Sequence, residues 1–314
     1  MGRLRAAVIG VGYFGGRHVE KWSAMDDVEL AYVVDTDEEL ARKTARRLGC
    51  AAAQDYRAVL GKVDLASVAT PTHSHFEVAH ALLSAGIHVL VEKPLTRTIE
   101  EADALVAAAE AKGLELRVGH LERFNPALVA VRERIVAPRF MECHRLAPFK
   151  PRSTDVDVVL DLMIHDLDII LSLVAAPVTE VRANGVPVLT ASVDIANARV
   201  EFADGCVANV TASRVSSKSM RKLRVFAADA YVSIDFEARE CAVVRKLAEA
   251  GRDGMPKLDH ELRRFPAGDS LEAELRAFAA AVRGRGAPGA TGREGRRALE
   301  LAAAVSHQIR ARLE

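Results

Sequence analysis

The sequence predicts an α/β protein in two parts. Residues 1–122 read as a doubly wound parallel sheet, and residues 123–314 as an α/β domain on an open, mostly antiparallel sheet. Three observations carry that prediction. Strand and helix patterns alternate from residue 4 to residue 118, and such alternation gives parallel strands joined by helical crossovers. From residue 178 onward, strand patterns succeed one another with no helix between them, as in antiparallel pairing. The chain of 314 residues is also longer than one hydrophobic core usually supports.

The first strand, residues 4–9, is a short apolar run that meets Gly10-Val11-Gly12-Tyr13-Phe14-Gly15, and a helical pattern follows over 14–22. In such a strand–turn–helix unit the first glycine permits the tight turn. The second lets a pyrophosphate approach the backbone, and the third lets helix and strand pack closely. The anion rests on the helix N-terminus, where unpaired N–H groups and the dipole favour it. This is the Rossmann pattern, and Gly10, Gly12, Tyr13, Phe14 and Gly15 are its expected cofactor contacts. Asp35 closes the second strand, residues 28–34, twenty residues after Gly15. A carboxylate there accepts hydrogen bonds from an adenosine ribose and repels a 2′-phosphate, so NAD is expected rather than NADP. Asp37 fits the N-cap of the next helix better, which leaves Asp35 free for the ribose.

A short strand near 51–53, a helix over about 55–60 and a strand over 65–69 continue the alternation. In the following loop, Thr70-Pro71-Thr72-His73-Ser74-His75, the residues Thr70, Pro71 and His75 are expected at the cofactor. His73-x-His75 lacks a nearby third ligand, so no metal is expected there. A helix over 77–84 stops at Gly86, a residue suited to a left-handed C-cap. Ile87-His88-Val89-Leu90-Val91 then reads as a buried parallel strand running into Glu92-Lys93-Pro94. Glu92 and Lys93 fall at the strand's carboxyl end, where open α/β sheets bind ligands, and Pro94 holds Lys93 extended. A helix over 99–111 and a strand over 114–118 complete the first domain.

Beyond it, Asn125 and Pro126 suit the cap and first position of a helix running to about residue 135. A strand over 139–146 and a loop carrying Lys150 and Arg152 come next. Residues 157–174 read as one helix, with Leu160, Met163, Ile164, Leu167, Leu171 and Val174 on its apolar face. Asp161, His165 and Asp168 share a polar face, where an aspartate one turn before a histidine can orient the imidazole for proton transfer. Strands are expected over 178–183, 192–202, 206–213, 222–227, 231–236 and 242–247, with a hairpin turn at Asp204-Gly205. Residues 248–269 read as irregular, and helices over 271–282 and 294–313 close the second domain.

In this order, Gly10-x-Gly12-x-x-Gly15, Asp35, Glu92-Lys93-Pro94 and Asp161-x-x-x-His165 resemble the Gfo/Idh/MocA family of dinucleotide-dependent sugar oxidoreductases, over nearly the whole chain. The resemblance implies catalytic roles for Lys93, Asp161 and His165, and a place for Glu92 beside Lys93 or the nicotinamide ribose. A lysine is a weak base at its reference pKa near 10.4, and burial beside a cationic ring would lower it. Residues 118–126 and 161–168 look most like members that oxidise UDP-linked N-acetylhexosamines at C3, forming a keto sugar for lipid A or surface-glycan amino sugars. That implies Arg123 and Asn125 at the substrate. A diphosphate would also want cations such as Lys150, Arg152, Arg214, Lys218 and Arg221. Two other readings are a dehydrogenase of a free sugar or inositol, and a non-catalytic NAD-binding sensor. Loss of Lys93 or His165 would mark the sensor, and both are present.

Lys and Arg number 43, as do Asp and Glu, so no net field draws nucleic acid or an anionic membrane. No apolar run reaches the roughly 18 residues of a membrane span. The four cysteines are far apart and fit a reducing cytoplasm. A homodimer or homotetramer is expected, with Val207, Val210, Val225, Val232 and Ile234 as apolar area for the partner.

Overall fold

The computed structural model describes residues 2–150, 156–250 and 255–313. The chain divides into two compact units: Met1–Leu121 with Asp269–Leu299, and Glu122–Gly268 with Glu300–Glu314.

The first unit is built on β1 (Leu4–Ile9), α1 (Tyr13–Ser23), β2 (Val28–Val34), α2 (Glu38–Leu48), β3 (Ala51–Ala53), β4 (Leu65–Val68), α3 (His75–Ser84), β5 (His88–Glu92), α4 (Ile99–Ala111) and β6 (Leu116–Gly119). The strands lie in the order β6-β5-β4-β1-β2-β3 and pair in parallel. All four residues of β4 are buried, as are Val89, Leu90 and Val91 of β5, because helices cover both faces of such a sheet. Local signals fix the helix ends. The Asp37 side chain accepts from Leu40 N–H at the start of α2, and Gly49 ends it at φ 70°. Thr98 and Glu101 form a reciprocal capping box on α4.

Two pieces of this unit come from the far end of the chain. The sequence places both terminal helices in the second domain, but helix Ser270–Val282 packs Leu271, Leu275 and Phe278 into the core formed by Val19, Trp22 and Val28. Trp22 and Phe278 meet edge to face at 6.4 Å between centroids. The Asp269 cap ion-pairs with Lys21 of α1 at 2.5 Å. Strand Ala290–Thr291, absent from the sequence reading, pairs antiparallel with β6. The last helix, Gly292–Leu313, sets Gly292 and Gly295 against Leu116 and Val118, where a Cβ would meet their side chains at 2.6 and 2.3 Å.

The second unit holds α5 (Pro126–Val129), β7 (Phe140–Leu146), α6 (Ile164–Leu173), β8 (Val178–Val186), β9 (Ile195–Phe202), β10 (Val207–Ser213), β11 (Met220–Phe226), β12 (Ala230–Asp235), β13 (Glu240–Ala250) and β14 (Pro256–Arg264). They form one sheet in the order β14-β13-β12-β11-β7-β10-β9-β8, antiparallel except for the β7–β10 pair. Gly205, at φ 82°, turns the chain between β9 and β10 as expected. Four departures from the sequence reading stand out. The expected helix to residue 135 stops at Val129, and a short 3₁₀ turn follows at Arg132–Arg134. The expected single helix over 157–174 opens with a π-helical turn, Val159–Met163, before α6. Residues 256–264, read as irregular, form edge strand β14. Its exposed, charge-rich sequence hides the alternation, while pairs such as Arg264–Glu240 tie it to β13. Val210, Val225, Val232 and Ile234, expected at a partner, are at most 2% exposed and belong to the inner core. No helix among the described residues is long and apolar enough to cross a membrane.

Candidate active site

The glycine turn of the first unit follows directly from sterics. Gly10 sits at φ 82°, and a Cβ there would lie 2.8 Å from the Ala69 carbonyl oxygen. A Cβ on Gly15 would overlap the Gly10 carbonyl, whereas at Gly12 it would meet nothing within 4 Å. Gly12 is thus the open position, at the N-cap of α1, where no side chain takes the helix N–H groups. A cavity of about 790 Å³ extends from this turn past Asp35 to Gln54, Tyr56 and Glu77. Thr70, Pro71, His73 and Ser74 form another side of it. An anion-receptive helix end joined to a cleft with a carboxylate halfway along matches the phosphate and ribose needs of a dinucleotide.

Several expected residues take more specific places than the sequence assigned. Asp35 is not free: its Oδ2 accepts the Val11 N–H at 2.8 Å and its Oδ1 the Asp37 N–H at 3.0 Å. These bonds aim the carboxylate along the cavity wall and tie it to the glycine turn. Tyr13 is 76% exposed at the start of α1, and Phe14 packs on the His18 ring. His75 is 1% exposed and lies off the cavity wall. Its ring nitrogens stand 2.9 Å from the Thr70 and Pro94 carbonyl oxygens, so it ties the Thr70 loop to the turn after Lys93. Burial lowers its pKa, and the two carbonyl contacts only partly oppose that. Glu92 pairs with His18 of α1 at 3.0 Å, a partner that the sequence reading missed. The only sign of it was a polar residue on the apolar face of α1.

In the second unit, Asp161 lies on the π-helical turn and His165 on the first turn of α6, both half-buried. Asp168 does not share a solvated face with them. It is 1% exposed and takes both Nε and Nη2 of Arg123 at 2.7 Å. That bidentate pair holds the Arg123 guanidinium in a buried contact with α6. Asn125 is also bonded within the fold: it caps α5 by accepting from Ala127 N–H and donates to the Phe236 carbonyl. On α6, Asp166 takes Arg145 in a second bidentate pair at 2.9 Å, and Arg145 also donates to Glu122 at 3.0 Å. Burial pushes the Asp166 carboxyl up, with Arg145 opposing. Arg214 is buried too, bound to Asp194, Thr190 and the Val156 carbonyl. Of the expected phosphate-binding cations, Lys150 is exposed after β7, and Arg152 falls outside the described residues.

Comparison with known proteins agrees with this geometry. Residues 4–120 match the model of an oxidoreductase family with an NAD-binding Rossmann fold, and residues 135–233 match the Gfo/Idh/MocA C-terminal domain. The chain is 40% identical over 312 residues, 99% of each chain, to UDP-N-acetylglucosamine 3-dehydrogenase from Acidithiobacillus ferrooxidans.

The chain belongs to the Gfo/Idh/MocA oxidoreductase family.

A solved structure of the A. ferrooxidans enzyme, GnnA, superposes with a TM-score of 0.92 at 40% identity, covering 100% of both chains. A more distant relative, myo-inositol 2-dehydrogenase from Thermotoga maritima, is 26% identical over 98% of this chain and 96% of its own. As a Gfo/Idh/MocA member the chain is a dehydrogenase with an NAD-binding Rossmann fold, and the open Gly12 and the cavity beside Asp35 fit a dinucleotide. When bound, the dinucleotide accepts hydride; binding, orientation and proton handling fall to the protein.

Proposed function

We propose that the chain oxidises the C3 hydroxyl of UDP-N-acetylglucosamine, or a close UDP-N-acetylhexosamine, to a ketone, using NAD in preference to NADP. The observation that carries this is the 40% identity along 99% of both chains to a dehydrogenase of that substrate, where the inositol relative reaches only 26%. Lys93, directly after β5, and His165, oriented by Asp161, handle the hydroxyl proton. Lys150 and Arg152 are the cations proposed for the diphosphate. Asp35 and Asp37 both line the cavity, and two carboxylates there disfavour a 2′-phosphate. The ketone suits later amination toward lipid A or surface glycans.

The assembly is proposed to be a cytoplasmic homodimer or homotetramer. All four cysteines are free, as in a reducing compartment. The half-exposed sheet face carries a run of rings, with Phe140–Phe226 at 5.8 Å and Phe226–Tyr231 at 5.0 Å. Register puts Leu258 and Leu262 of β14 on that same face, 54% and 59% exposed. A second copy would cover them and protect the edge strand.

The deciding experiment incubates the protein with NAD and a panel of nucleotide sugars, free hexoses and inositols, followed by NADH absorbance and product mass. Turnover of UDP-N-acetylglucosamine to a keto sugar is the expected result. Exclusive turnover of a free polyol would overturn the substrate reading, and silence with every substrate would favour a sensor.

A further inference from the structure

Glu92 is the last residue of β5, and two neighbouring elements are shaped around its carboxylate. From α1, His18 Nε2 stands 3.0 Å from Glu92 Oε1. From the end of β6, Gly119 leaves the space that the carboxylate fills; a Cβ there would lie 2.5 Å from Oε1. The His18 side chain is 1% exposed and the Glu92 side chain 12%.

The protonation state of this pair follows from hydrogen-bond accounting. His18 Nδ1 is buried and meets no hydrogen-bond partner among the described residues. A charged imidazole would bury an N–H at Nδ1 with no acceptor, and an unmade buried bond is costly. A protonated Glu92 donating to Nε2 would move the ring proton to that same Nδ1. The arrangement that leaves no orphaned donor is a neutral ring whose Nε2–H donates to an ionised Glu92. The pair therefore carries a net negative charge and is not a neutralised ion pair.

The sheet order shows which part of the dinucleotide this charge serves. The Asp35 cavity spans the carboxyl ends of β1, β2 and β4 and suits the adenosine half. From the pyrophosphate position at α1, the other half of a dinucleotide runs along the opposite arm of the sheet, toward β5. We infer that His18 is a positioning residue: it fixes an ionised Glu92 at the nicotinamide end of the site, where the carboxylate favours the cationic oxidised ring over the neutral reduced one. Such a bias suits an enzyme that takes up the oxidised cofactor and releases the reduced one. The inference rests on the dinucleotide part of the proposed function and not on the sugar.

The test measures calorimetric Kd values for NAD and NADH on the full chain without sugar, with melting curves to check folding. In Glu92→Gln, NAD should weaken about tenfold while NADH stays within about twofold, the scale of losing one unit charge a few ångströms away in a partly buried site. His18→Gln, which keeps a donor, should hold the wild-type ratio of the two Kd values, and His18→Leu should shift it in the direction of Glu92→Gln. If the leucine variant does not fold, His18→Asn, whose shorter amide does not reach Glu92, takes its place and should shift the ratio in the same direction; an unchanged ratio there would overturn the positioning role of His18. Equal weakening of both cofactors in Glu92→Gln would make Glu92 a ribose contact and overturn the charge argument, as would no change in either. A wild-type protein that binds neither cofactor would instead remove the dinucleotide assignment itself.

Discussion

Single residues carry the sharpest expectations. Lys93→Ala and His165→Ala should each lower kcat by about 10² to 10⁴-fold, the usual yield of general acid–base catalysis. If both lie on one proton path, the double variant should lose little more than the worse single, because residues acting as a unit are non-additive. NAD affinity by calorimetry should move by less than about tenfold in all three, since the glycine turn and Asp35 are untouched. A second test concerns Asp35. Wild type should show the higher kcat/KM with NAD, and Asp35→Ala should narrow the gap to NADP. Because Asp35 also holds Val11 N–H of the glycine turn, the variant should weaken both cofactors as well. Glycine spacing and Asp35 were legible in sequence because backbone sterics and strand ends are local facts. The bonds of Asp35 to Val11 and of Glu92 to His18 were not, since they join residues 24 and 74 positions apart.

At the scale of elements, α6 is held by a buried bidentate Arg–Asp pair at each of two positions, Asp166 with Arg145 and Asp168 with Arg123. Asp168→Ala should cost about 3–5 kcal/mol in chemical denaturation, because it strands the Arg123 charge in a buried site. Replacing both partners with apolar residues of similar volume should recover most of that. Helical spacing put Asp168 on a polar face with Asp161 and His165. The aspartate is polar, but its partner lies 45 residues upstream, and the π-helical turn changes the register before α6. Strand β14 was missed for a related reason: edge strands are kept polar, so they lack the apolar alternation that reveals inner ones. The loop before β9 offers a pH test. Burial opposes ionisation of Asp194, but the Arg214 bond and the N–H groups of Val188, Thr190 and Leu189 outweigh it and hold the carboxyl well below the usual range. A depressed folded-state pKa contributes stability above the unfolded value, about 3.9, and loses it as pH falls toward the folded value. Asp194→Asn should therefore be less stable at pH 7, and the difference in unfolding free energy should shrink as pH is lowered below about 4.

At the scale of the molecule, light scattering at micromolar concentration should show a species larger than one chain, and Leu258→Lys with Leu262→Lys should shift it toward monomer. The first unit's core depends on a helix that begins some 150 residues after the unit's first segment ends at Leu121. Phe278→Ala should cost about 3–5 kcal/mol and should destabilise the glycine-turn unit, readable as faster amide exchange in β1 and α1. That discontinuity also bears on how the protein is made. At the usual 5–20 residues per second, the ribosome delivers Trp22 many seconds before Phe278 exists to cover it. Until then the nascent chain shows an apolar face where the helix Ser270–Val282 will dock, a surface suited to holding chaperones. Nucleotide affinity should thus arise late in synthesis, after the whole of the second sheet has left the exit tunnel.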